Sequence, residues 1–136
     1  MVSDHPECFE TARQLFGPKI KNWGFLPSKE DYYQVLQQAD ICVSTANHEF
    51  CGVSMLEGAL SDCFCLVPNR LSYVELFPDE CKYNTDKQLA KKLKNLVNAG
   101  KCRIKKITED LKLKDKILPL VDHEIVLKTI LQEIKV

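Results

Sequence analysis

The stretch DICVSTANHEFCGVSMLEGALSDCFCLVPN, residues 40–69, decides how this chain folds. Two runs in it, DICV and FCLV, are apolar on consecutive positions, as strands buried on both faces are. Between them GVSMLEGALSD places Val53, Leu56 and Leu60 on one helical stripe. A strand, a helix and a second strand with a crossover of this length give parallel pairing.

The same alternation extends outward on both sides. Upstream, SKEDYYQVLQQA (28–39) offers Ser28 as an N-cap, with Asp31 three residues on and Tyr32, Val35, Leu36 and Ala39 at helical spacing. Before it IKNWGFL (20–26) predicts another strand, and PECFETARQLF (6–16) a helix closed by Gly17-Pro18. Downstream, SYVELFP predicts a short helical turn and CKYN (81–84) a brief edge strand. In TDKQLAKKLKNLVNAG (85–100), Leu89, Leu93, Leu96 and Val97 recur at helical spacing, with Gly100 as a stop. The lysines on its other face read as a solvated surface. Residues 107–120 and 122–136 predict further helix, interrupted near Pro119. The fold class is α/β: a Rossmann-like parallel sheet flanked by helices, in a single domain over residues 1–136. The pattern opens on a helix rather than a strand, so the first strand of the expected sheet is missing and the chain reads as a truncated piece of something larger.

Composition excludes several function classes. The 136 residues carry 19 basic and 19 acidic side chains, a formal charge of zero, so no global field favours nucleic acid or anionic membrane. No run approaches the ~20 apolar residues of a membrane span. MVSDHPECFE has neither the basic nor the apolar region of a signal peptide, which predicts a cytoplasmic location, or a nuclear one. The seven cysteines sit largely in apolar runs and read as free buried thiols of a reducing compartment. The spacing of Cys63 and Cys65 does not suit a zinc knuckle, so no metal is expected.

Chemistry is expected at residues 44–57. Ligands of parallel α/β sheets bind beyond the carboxyl ends of the strands, where the following helices point their N-termini. STANHEFCG leaves the strand there and enters the helix near Gly52, so the N–H groups of Gly52, Val53 and Ser54 would form an anion site suited to phosphate. Glu49 precedes this cradle. Glu57 lies five residues beyond Gly52, about 7–8 Å along the helix. Two carboxylates around an anion site suit a phosphate flanked by hydroxyl-rich rings, the shape of a nucleotide-sugar.

HEFCGVSMLEG resembles the Glu-x7-Glu motif of retaining glycosyltransferases of the GT-B fold, the group called family 4. The likeness runs from about residue 9 to about residue 98, through WGFLPSKEDYYQVLQQADICVSTANHEFCGVSMLEG and LSYVELFP. It implies the C-terminal, donor-binding half of such an enzyme. Glu49 would be the catalytic residue and contact hydroxyls of the donor sugar, and Glu57 would bind the ribose. The amides after the Phe50-Cys51-Gly52 turn, Gly52 and Val53, would hold the distal phosphate. Phe25, Leu26 and Pro27 would bear the base, and His48 would reach the sugar or phosphate. The implied donor is GDP-mannose, without cofactor or metal, and the implied acceptor of the complete enzyme is a tRNA nucleoside.

Cys51 stands where many members carry glycine or phenylalanine, a change that backbone binding tolerates. The basic pair that the family places in the first strand-loop-helix is missing, as is the preceding acceptor domain. The expectation is therefore a piece that binds donor without transferring sugar alone and that self-associates through exposed edges. The alternative is a non-catalytic interaction module, a truncated isoform that keeps only the fold. A flavodoxin-like regulator lacks its acidic cluster, since Asp40 lies at the wrong end of its strand. Cys51 as a nucleophile lacks a base, and Trp23, Tyr32 and Tyr33 read as packing residues rather than a platform for bases.

Overall fold

A computed structural model describes residues 7–47, 52–122 and 131–132. Its centre is a parallel sheet of three strands in the order β1 (Ile41–Val43), β2 (Phe64–Pro68), β3 (Lys82–Tyr83). Ile41 pairs with Phe64, Cys42 with Cys65 and Val43 with Leu66; Val67 pairs with Lys82 and Pro68 with Tyr83. All five residues of β2 are buried, which is what the unbroken apolar run of a central parallel strand predicts. The sheet is flanked by helices, and the architecture is α/β and Rossmann-like, as the sequence predicts.

Local chemistry sets the helix ends. Helix α1 spans Glu7–Phe16 and passes into a 3-10 turn at Gly17–Lys19. Helix α2, Lys29–Gln38, starts at Ser28, whose hydroxyl accepts from the Asp31 N–H at 3.3 Å. Helix α3, Val53–Leu60, connects β1 to β2, and the short α4, Tyr73–Leu76, leads toward β3. Helix α5, Asp86–Ala99, is capped by Thr85, which accepts from Gln88 N–H at 3.1 Å, and it ends at Gly100, whose φ of 87° stops the helix. Helices α6 (Lys101–Leu111) and α7 (Leu113–Val121) follow.

The core gathers Met55, Leu56 and Ala59 of α3, residues 64–67 of β2, Tyr73, Phe77 and Cys81, then Leu96, Ile104, Leu113 and Ile117. Burying each larger side chain contributes roughly 1.5–3 kcal/mol. Helix α7 packs on α3 and α6 on β2, so these two helices complete the core around the second strand.

Three expectations are corrected. Residues 20–26 form no strand: Gly24 takes a left-handed φ of 87° that turns the chain out of the extended region, leaving an open loop between α1 and α2. Residues 107–120 break at Lys112, whose φ of 52° separates α6 from α7, while the interruption expected near Pro119 falls where α7 ends, at Val121. Cys8 and Cys102 are exposed, while Cys63, Cys65 and Cys81 are buried as expected. Burial pushes the Cys81 thiol up to about 12, which keeps it protonated and inert. Among the described residues no helix is long and apolar enough to cross a membrane.

Candidate functional site

The loop at residues 22–27, the first turns of α2 and the first turns of α3 enclose a groove of about 680 Å³. Cys63, just before β2, donates from Sγ to the Leu36 and Ala39 carbonyls at the end of α2, so the start of α2 points toward the carboxyl end of the sheet, where it shares the groove with α3. Phe25, Leu26 and Pro27 form one wall of the groove, and Tyr32, Tyr33, Ser54 and Glu57 contribute others. The structure therefore brings Phe25, Leu26, Pro27 and Glu57 together. Phe25 is 89% exposed, an aromatic ring that packs against nothing in the core.

Glu57 is tied to α2. The Tyr32 hydroxyl donates to its Oε2 at 2.8 Å, and the Tyr33 hydroxyl to its Oε1 at 3.4 Å. The two rings lie side by side, with centroids 5.5 Å apart. Burial first, and then the bond to Glu57, push the Tyr32 phenol up to about 12, so it stays a donor at neutral pH. Tyr32 and Tyr33 thus line the groove and hold Glu57. Trp23 does pack: it meets Phe9 of α1 edge-on at 6.1 Å, with the Arg13 guanidinium 5.4 Å from its ring centre.

At the entrance to α3, Gly52 adopts φ 62° and ψ 35°, a left-handed conformation. A Cβ there would stand 2.6 Å from Tyr73 Cε1, so the turn is also too tight for a side chain. Gly52 and Val53 therefore lie at a helix N-terminus, where the leading N–H groups have no partner within the helix. Val53 is 56% exposed. The sheet mouth beside it is fixed: Tyr83 donates to the Ser44 carbonyl at 2.7 Å, and the Ser44 and Tyr73 hydroxyls lie 3.1 Å apart. Four expected site residues, His48, Glu49, Phe50 and Cys51, lie outside the described residues.

Arg70 was not anticipated. It follows the end of β2 and donates from Nη2 to Asn47 Oδ1 at 3.2 Å, which sets a guanidinium at the same end of the sheet. Its only sequence signal is its place two residues after Pro68, just beyond a buried strand. Among the described residues no group of three or more His, Cys, Asp or Glu is arranged to hold a metal ion.

Fold and groove together define a Rossmann-like α/β unit with a groove lined by the starts of α2 and α3. Over 102 residues, three quarters of its length (75%), the chain is 43% identical to the tRNA-queuosine alpha-mannosyltransferase of Drosophila melanogaster. This is a glycosyltransferase-like relationship. The match covers 26% of that protein, so the chain spans about a quarter of the relative's length. No family model matches the chain, and no solved structure does.

Proposed function

We propose that this chain is the donor-binding part of a retaining GT-B glycosyltransferase that transfers mannose from GDP-mannose to queuosine in tRNA. The observation that carries this reading is the placement of Glu57. Its carboxylate lies in the groove whose far wall is Phe25, Leu26 and Pro27, one helical turn from the Gly52–Val53 amides. A nucleotide laid along it would set its base on Phe25, its ribose hydroxyls on Glu57 and its distal phosphate at the start of α3. The identity to a protein named a tRNA-queuosine alpha-mannosyltransferase supports mannose as the sugar and queuosine in tRNA as the acceptor.

Glu49 would contact the sugar, with His48 beside it, and the backbone of Phe50 and Cys51 would complete the turn. The charge developing on the leaving diphosphate would meet helix-terminal amides. Transfer would require the parts of the relative that lie outside the match, so the chain alone would bind donor and turn nothing over. The test is a titration of GDP and GDP-mannose into the chain and into Glu57→Ala, followed by amide resonances. Shifts at Gly52–Glu57 that vanish in the variant are expected. Absence of shifts with both nucleotides would end the donor assignment.

A further inference from the structure

The zero net charge conceals a segregation. Residues 86–116 carry eleven lysines and arginines against four acids, while residues 1–85 carry six against twelve. Ten of the eleven cations are exposed. The other, Lys92, donates to the carbonyls of Lys82 and Glu80 and is spent within the fold. On α5, Leu89, Leu93 and Leu96 turn inward, and Lys87, Lys91 and Lys94 form the opposite stripe. Helix α6 packs against α5 and adds Lys101, Arg103, Lys105 and Lys106.

A solvated helix face ordinarily interleaves its charges, with an acid one turn from each base. Here like charges stand one turn apart at Lys87 and Lys91 on α5 and at Lys101 and Lys105 on α6, an arrangement that disfavours the isolated helix; acids one turn away, Glu109 and Asp110, come only at the end of α6. Among the described residues, the ion pairs that relieve this surface are Lys101 to Asp40 at 3.9 Å and Lys114 to Asp62 at 3.8 Å, both long. No ion pair joins two residues within α5 or within α6. Helix α5 is about 21 Å long, so its stripe matches a run of phosphates rather than a single anion. Its apolar side is already committed to the core, which leaves little to insert into a lipid surface.

We propose that the outward face of α5 and α6 binds the phosphate backbone of RNA and so holds the acceptor. This rests on the tRNA acceptor of the proposed function. The contacts would be to phosphates and would carry no base sequence.

The test measures binding of a transfer RNA transcript to the chain between about 50 and 200 mM salt, for the wild type and for Lys87→Gln/Lys91→Gln/Lys94→Gln. Each neutralised phosphate contributes roughly −0.9 to the slope of log K against log salt, so the triple variant should lower the slope by about 3. The variant should keep its thermal midpoint and its response to GDP. Neutralising Lys19 and Lys21, which are exposed on the loop after α1, should leave the slope unchanged. The proposal is overturned by absence of RNA binding at about 50 mM salt, by an unchanged slope in the triple variant, or by an equal loss in the Lys19 and Lys21 variant. GDP binding that persists in any of these cases leaves the donor site standing and removes only the RNA surface.

Discussion

The Tyr32 hydroxyl lies 2.8 Å from Glu57 Oε2, joining two helices across twenty-five positions of sequence. The bond holds the carboxylate toward the groove, while Tyr33 reaches the other oxygen at a longer 3.4 Å. These two contacts carry different expectations. Removing the short bond in Tyr32→Phe should destabilise the fold by about 1–2 kcal/mol, since it is a partly exposed hydrogen bond to a charged acceptor. It should also weaken GDP binding, because Glu57 loses its orientation. Tyr33→Phe should tighten GDP binding if a ribose hydroxyl takes the place of the Tyr33 hydroxyl on Oε1. Urea melts and nucleotide titrations on the two variants separate these roles, and equal effects from both would refute the distinction.

The same bond sets a pH dependence. Tyr32 must be neutral to donate, and its folded value of about 12 lies above the ordinary 10. The neutral phenol is therefore favoured by folding: the contribution is fully present below about pH 10 and is lost as pH rises toward about 12. Tyr83 is raised in the same direction, chiefly by burial, so the informative quantity is the gap between wild type and Tyr32→Phe. Denaturation midpoints should show a constant gap from about pH 8 to about pH 10 and a shrinking one above it. A gap that persists unchanged to about pH 12 would mean that it does not arise from the neutral phenol bonded to Glu57.

Gly58 tests the packing of the helix that carries the site. Alanine in a helix is ordinarily favoured over glycine by about 1 kcal/mol. At this position a Cβ would stand 2.8 Å from Cys42 Sγ and 3.2 Å from Cys42 Cβ, atoms fixed to strand β1. Overpacking typically costs about 1–3 kcal/mol, so the clash should outweigh the propensity and Gly58→Ala should be destabilising. Adding Cys42→Ala removes the nearer atom. The double variant should recover part of the loss, with a favourable coupling in a double-mutant cycle. Additive effects would show that the two residues do not meet.

Where the chain's own chemistry is local, the fold was legible. Unbroken apolar runs announced β1 and β2, and the CKYN edge strand appears as β3 over Lys82–Tyr83. Ser28 with Asp31 marked the start of α2, and Gly100 the end of α5. Residues 20–26 misled because their apolar content resembles a strand, while the left-handed turn at Gly24 leaves no ladder to join. Lys112 gave no warning either, since a non-glycine residue in the left-handed region has no local signal. The meeting of Phe25–Pro27 with Glu57 was anticipated from family resemblance rather than from spacing. The tyrosine clamp on Glu57 is tertiary, set by how α2 lies on α3, and no periodicity in either helix encodes it. The pairing of Glu49 with Glu57 around the helix start falls partly outside the described residues and stays a proposal.

Phe25 offers the cleanest separation of binding from folding. At 89% exposed, its ring contributes little to the core, so Phe25→Ala should leave the unfolding midpoint within about 0.5 kcal/mol of wild type. An exposed ring on the wall of a groove is a surface on which a nucleobase can stack, and such stacking is worth about 1–3 kcal/mol. GDP affinity should accordingly fall by roughly 5- to 150-fold, while Phe25→Trp should preserve it. The sugar part of the ligand is not expected to sense the change, so free mannose should fail to compete with GDP for this wall in either protein. Calorimetric titration reads the affinities directly. An affinity for GDP that Phe25→Ala leaves intact would move the base off this loop and require a different placement of the nucleotide along α3.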